Sequence, residues 1–265
     1  MHLEVDGAKV AASTGGAGLD RSRPLLALVH GAGMDHTVWA PLARFFARHG
    51  WSVLAVDLPG HGGSAGDVAA SVDDHARWLH QVVATAGWDR AALVGHSLGS
   101  LIALRAAALD PGHVSHLVLV GTAAPMPVHP ELLATACAGD RRAVELVVSW
   151  SLTRPDHIGG HPTPGMWMTG AGMRLMERID PKALAADLAA CNEHTSAIAD
   201  AAAVRCAVLV VIGEHDRMTP PAAAGPLLAA FPQATAVVIP GAGHFAMVDR
   251  SDALIDSIAS FLEVV

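Results

Sequence analysis

Six short apolar runs, most of them closed by glycine, proline or aspartate, limit how this chain can fold more than any other feature. They are LLALVHG (25–31), WSVLAVDLPG (51–60), AALVGHS (91–97), HLVLVGT (116–122), AVLVVIGEHD (207–216) and TAVVIPGAGH (235–244). None alternates strictly between apolar and polar residues, so each predicts a strand buried on both faces. Between several of them lie helical patterns, VWAPLARFFARHG, DDHARWLHQVVATAG and SLGSLIALRAAALDP, the last closed by Pro111. Strands and helices in alternation imply crossover connections, hence an α/β architecture: a mainly parallel, doubly wound sheet covered by helices on both sides. Near the start, LEVDGAKVAA carries Asp6-Gly7, a tight-hairpin dipeptide, so the first two strands are expected to be antiparallel.

One stretch breaks this rhythm. From Pro125 to about Thr195 there is no buried-strand pattern. It has a proline-rich start (Pro125, Pro127, Pro130), helical stretches and the Gly/Pro loop GGHPTPG at 159–165. The expected division is therefore a core of residues 1–124 and 196–265 carrying a helical insertion of residues 125–195. The insertion leaves after one strand end and returns before another, so it is expected to lie over those ends as a cap. Its apolar side chains include Trp150, Met166, Trp167, Met168, Met173 and Met176. They either seat the insertion on the sheet or line a pocket for irregular apolar ligands, a task that the flexible methionine thioether also suits.

Composition excludes several functions. With 52% hydrophobic residues over 265 positions, the chain can bury a full core, and its net charge of −8 comes with scattered charges and no basic run. That balance argues against nucleic acid or an anionic membrane as partner and leaves a small-molecule substrate, with the oligomeric state open. No apolar run reaches the ~20 residues that span a bilayer. The N-terminal MHLEVDGAKV, with Glu4 and Asp6, lacks the apolar stretch and basic flank of a signal peptide, which predicts a cytoplasmic protein. Cys137, Cys191 and Cys206 are odd in number and far apart. They are expected to be reduced, small buried apolar residues, with no metal and no cofactor bound.

The chemistry concentrates at VGHSLGS (94–100), where Ser97 stands between Gly95 and Gly99. Placed between a strand and a helix, it occupies a turn so tight that only glycine avoids a clash two residues to either side. Such a turn lifts the hydroxyl clear of the backbone. A serine hydroxyl is a weak nucleophile until a base and an orienting group activate it. Open α/β sheets collect their ligands at strand ends. There AVLVVIGEHD ends in Asp216 and TAVVIPGAGH in His244.

The order Ser97, Asp216, His244, together with VHGAGMDHTVW (29–39), VDLPGHGGS (56–64), GEHDRMTP (213–220) and GAGHFAMVDR (241–250), resembles the α/β-hydrolase fold superfamily over nearly the whole chain. The resemblance implies that Ser97 attacks a carbonyl, His244 takes its proton and Asp216 holds the imidazole. The backbone N–H of Leu98 and one from the HGAG loop, Ala32 ahead of Gly33 and Met34, would form an oxyanion hole. His30 and His61 are expected to be structural, His96 to point away from the hydroxyl, and Asp57 to brace its own turn. Glu214 and Asp249 are the rivals of Asp216. Gly33, Met34, Trp167, Met168 and Phe245 are expected around the substrate, and a charged substrate would require Arg154, Arg174 or Arg178 to point inward.

Serine at this position tells against the carboxylate attack of dehalogenases and epoxide hydrolases, and leaves an acyl-serine intermediate. Ester, thioester, lactone and C–C hydrolysis and peracid formation share this apparatus. C–C hydrolases usually carry tryptophan after the histidine where Phe245 stands, and a second glycine where Ser100 stands. A receptor that keeps an intact triad is the reading from another class.

Overall fold

The computed structural model describes residues 1–163 and 165–264. The eight strands are β1 (His2–Val5), β2 (Ala8–Ser13), β3 (Leu25–Val29), β4 (Ser52–Val56), β5 (Ala91–His96), β6 (Val114–Val120), β7 (Ala207–Gly213) and β8 (Thr235–Ile239). They form one sheet in the order β1-β2-β4-β3-β5-β6-β7-β8, parallel from β4 to β8 and antiparallel at β1-β2 and β2-β4. The hairpin forms as its sequence suggests: Asp6 and Gly7 both take positive φ, 50° and 77°, the backbone that matches the twist of the flanking strands.

Residues of β3 show why the apolar runs have no polar phase. Leu25, Ala27 and Val29 face one hydrophobic core while Leu26 and Leu28 face a second on the other side of the sheet. Helices α2 (Val72–Ala86) and α3 (Leu98–Leu109) pack in the first core; α1 (Ala40–Arg48) and the helix Ser251–Phe261 pack in the second. Strand β8 departs from the expectation. It lies at the sheet edge with Val238 51% exposed, where helices cover the two faces less fully than they cover those of the central strands.

Between β6 and β7 the described residues contain helices and no strand: α4 (Pro130–Cys137), α5 (Arg142–Ser151), α6 (Arg154–His157), α7 (Met168–Met176), α8 (Pro181–Glu193) and α9 (Ala197–Ala203). Helix α4 contacts α5 and α8, and α8 also contacts α3. The Gly/Pro loop at 159–165 includes Pro164, which lies outside the described residues. Of the cysteines, Cys191 is buried and Cys206 half-buried, but Cys137 is exposed at the end of α4, contrary to the buried role expected of all three. No helix among the described residues is long and apolar enough to cross a membrane.

Candidate active site

The turn that carries Ser97 is fixed by backbone contacts on both sides. A Cβ at Gly95 would lie 2.0 Å from Gly99 O, and one at Gly99 would lie 2.3 Å from Val29 O, so a side chain at either place would push the strand–helix junction apart. Ser97 itself sits at φ 52°, ψ −117°. That left-handed conformation costs about 1–3 kcal/mol for a residue with a side chain. Its N–H is held by Val120 O at 3.0 Å, and Ser100 Oγ donates to its carbonyl at 2.6 Å and joins the Thr122 hydroxyl at 2.9 Å. Ser100 therefore stabilises the turn. Ser97 is the N-cap of α3, yet its side chain caps no N–H of the helix, as serine in that position commonly does.

His244 and Asp216 meet behind this turn. His244 Nδ1 is 2.7 Å from Asp216 Oδ2, and both side chains are almost wholly buried. The Asp216 carboxylate also accepts the N–H groups of Met218 and Thr219 at 2.9 and 2.8 Å and the Thr219 hydroxyl at 2.8 Å. Burial pushes the Asp216 carboxyl up, but the His244 charge, its hydrogen bond and the Thr219 donors outweigh that and hold it below its ordinary range. An ionised carboxylate against Nδ1 makes Nδ1 the protonated nitrogen and leaves Nε2 as the basic one.

The rival acids have other partners. Glu214 accepts the Gly241 N–H at 2.8 Å. Asp249 is buried and accepts the Gly243 N–H at 2.9 Å, bracing the residue before His244, and burial pushes its carboxyl up to about 6. Asp57 braces its own turn as expected, accepting from the Gly63 and His36 N–H groups and the His36 ring. Asp35 joins His36 and Asp57 in one small cluster of possible ligand atoms. Its carboxylate accepts from the Thr37 N–H and hydroxyl and from Arg178 at 2.5 Å, so partners of the protein itself already occupy the cluster.

The remaining histidines divide by hydrogen bonding. His30 is buried and lowered to about 4 by burial and by His61. It is therefore neutral, donates from Nδ1 to Gly31 O at 2.8 Å and accepts the Leu58 N–H at Nε2 at 3.0 Å. His96 lies beside the His244 ring, centroids 4.6 Å apart, and burial holds it neutral well below the ordinary range. Its Nε2 donates to His244 O at 2.9 Å, so it holds the backbone of the loop that carries the base. A side chain at Gly31 would strike it, since a Cβ there would lie 2.7 Å from His96 Nδ1.

Ser97 and His244 line one cavity of about 350 Å³, together with Ala32, Met34, His96 and Phe245. The inserted segment supplies much of the remaining wall through Met126, Val128, Leu132, Val147, Trp150 and Leu188. Three of the expected substrate residues do not reach this cavity. Trp167 is 67% exposed, its ring lying over Gly170 because that position has no Cβ. Met168 is buried in the core and faces a separate cavity. Gly33 at φ +64° is enclosed by Leu184 and Met176, and its N–H donates to Asp187 Oδ2 at 2.9 Å, which removes it from the possible oxyanion donors.

Among the described residues the N–H groups of Ala32 and Leu98 have no hydrogen-bond acceptor, and Leu98 opens α3, where the N–H groups are unpaired and the helix dipole is positive. The three arginines named from the sequence lie elsewhere: Arg174 pairs with Glu177, Arg178 with Asp35, and Arg154 lines a separate cavity. The arginine on the cavity wall is instead Arg217, directly after Asp216, a position whose side-chain direction the sequence gives no means to read.

The model of the alpha/beta hydrolase family matches residues 26–257. A pimeloyl-(acyl-carrier protein) methyl ester esterase of Pectobacterium atrosepticum is 24% identical over 260 residues, covering 90% of this chain and 94% of the esterase. The polyketide synthase ThaQ of Burkholderia thailandensis is 32% identical over 97% of this chain, which spans 12% of the synthase. The alignment with an (E)-2-((N-methylformamido)methylene)succinate hydrolase of Acinetobacter baylyi, 33% identical, covers 36% of each chain. Among solved structures, a thermophilic esterase superposes with a TM-score of 0.80 at 27% identity, covering 99% of this chain and 96% of that one.

Proposed function

The chain belongs to the alpha/beta hydrolase family, and on that premise we propose that it hydrolyses carboxylic esters of small to medium apolar acids through an acyl-serine intermediate. The observation that carries this reading is the shared cavity: Ser97 on its strained turn and His244, tied to a buried ionised Asp216, open onto the same 350 Å³ space. His244 takes the proton of Ser97 at Nε2 as the hydroxyl oxygen attacks the ester carbonyl. Asp216 holds the ring and stabilises the imidazolium that results. The N–H groups of Ala32 and Leu98 receive the oxyanion, and His244 then returns the proton to the leaving alcohol. Water repeats the sequence on the acyl-serine.

The mostly apolar wall favours an uncharged acyl group. Residues 125–195 act as a cap in this reading, covering the strand ends that bear Ser97 and Asp216. The names borne by the esterase relatives support an ester substrate. A thioester, which the same acyl-serine chemistry can cleave, is the variant to test beside it.

A panel of p-nitrophenyl esters, thioesters and lactones, run with wild type and Ser97→Ala, tests the proposal. Wild type is expected to turn over esters, Ser97→Ala to lose several orders of magnitude while staying folded, and a fluorophosphonate to label Ser97. Esterase activity in folded Ser97→Ala would sink the assignment. Tight binding of esters without turnover by wild type would favour a receptor.

A further inference from the structure

Asp187 on α8 is fully buried, and its Oδ2 accepts two hydrogen bonds from distant parts of the chain. One comes from the Gly33 N–H at 2.9 Å, the other from His61 Nε2 at 2.9 Å. His61 Nδ1 also donates, to Pro59 O at 3.0 Å, so both ring nitrogens carry protons and the ring is an imidazolium. Burial pushes His61 down, but the hydrogen bond and charge of Asp187 outweigh it and raise it above its ordinary value. The insertion and the core are thus joined by a buried ion pair, and a buried pair holds its geometry because either charge left alone would be costly.

The contact matters because of where Gly33 lies. Its N–H and the Ala32 carbonyl belong to one planar peptide unit, so fixing the direction of that N–H fixes the plane on the C-terminal side of Ala32. Met176 and Leu184, with side-chain atoms 2.9 Å from the position of a Gly33 Cβ, close the same residue from the insertion side. We propose that Asp187 is a positioning residue: through the Gly33 N–H it sets the Ala32–Gly33 peptide and so aims the Ala32 N–H into the catalytic cavity. Through His61 it makes that setting depend on α8 being seated on the core. Helix α8 is then part of the transition-state machinery although Asp187 touches no reacting atom. The inference rests on the proposed acyl-serine chemistry, in which Ala32 is an oxyanion donor.

The test uses the full chain with p-nitrophenyl butyrate, reading kcat and KM alongside the hydrogen-exchange rate of the Gly33 amide by NMR. Asp187→Ala is expected to lower kcat about 10²-fold with KM changed less than about three-fold, the pattern of a misplaced catalytic group, and to accelerate exchange at Gly33. Asp187→Asn leaves an oxygen that can accept from both donors, and is expected to rescue kcat and Gly33 protection together.

The proposal is overturned by wild-type kcat in Asp187→Ala, or by any folded variant in which kcat falls while Gly33 stays protected, or Gly33 exchanges freely at full kcat. Should Asp187→Ala fail to fold, Asp187→Ser, whose shorter side chain cannot reach both the Gly33 N–H and His61, is read in its place against the same outcomes. Ser97→Ala in the same assay separates the two levels: activity there refutes the acyl-serine reading, whereas an inactive Ser97→Ala beside an unaffected Asp187→Ala refutes only the positioning role.

Discussion

At the scale of single residues, two aspartates near His244 differ in how the fold treats their charge. Asp216 has four donors and stays ionised. Replacing it with Asn removes the acceptor that fixes the Nδ1 proton, and turnover is expected to fall about 10⁴-fold with substrate affinity little changed; steady-state kinetics with KM as control measures this. Asp249 has one backbone donor, and its carboxyl lies at about 6 against an ordinary 3.8, so the folded state binds its proton more tightly than the unfolded state does. The cost of burying this charge is absent below about pH 4, grows between about pH 4 and 6, and stays constant above. Asp249→Asn, with the Gly243 bond retained, is therefore expected to raise stability at pH 8 by up to about 3 kcal/mol and to leave it unchanged at pH 3.5, as read by urea denaturation. The nucleophilic turn was legible in the sequence because steric exclusion at Gly95 and Gly99 acts through neighbouring residues. The pairing of His96 with the His244 carbonyl was not, since a ring's direction is set by partners 148 residues away.

At the scale of elements, the strands could be read and the cavity could not. The apolar runs of β3 to β7 become strands because both sheet faces are covered, a condition the sequence carries in its lack of alternation. β8 has the same composition but an edge position, which only the assembled sheet defines. The helices of the insertion are harder still, because which face meets the cavity depends on how α8 rests on α4, α4 on α5 and α5 on α7. Trp150 reaches the cavity from α5, whereas Trp167, the one expected there, lies outside it. Enlarging the cavity by Trp150→Ala is expected to move the kcat/KM optimum toward longer acyl chains in an acetyl-to-octanoyl series, and Trp167→Ala to leave the optimum where it is. A shift of equal size in both variants would show that the wall is built differently.

At the scale of the whole molecule, the buried His61–Asp187 pair ties stability to pH. Because the folded value of His61 is raised, its contribution is fully present below about pH 6.5 and is lost as pH rises through the folded value. Thermal unfolding of wild type is expected to show this loss on the alkaline side, and Asp187→Asn to flatten it, with the His61 ring followed by NMR as the direct measure. The second hydrophobic core has a further consequence. Leu132, Leu146, Met168 and Leu184 of the insertion belong to the same buried cluster as Leu26, Val53 and Leu254 of the body. The insertion is therefore no detachable cassette. Excising it would uncover an apolar surface that a lone soluble molecule rarely exposes. Grafting a foreign one would require recutting the floor beneath it, so new specificity is more accessible to this scaffold through single substitutions on the cavity wall than through exchange of the whole segment.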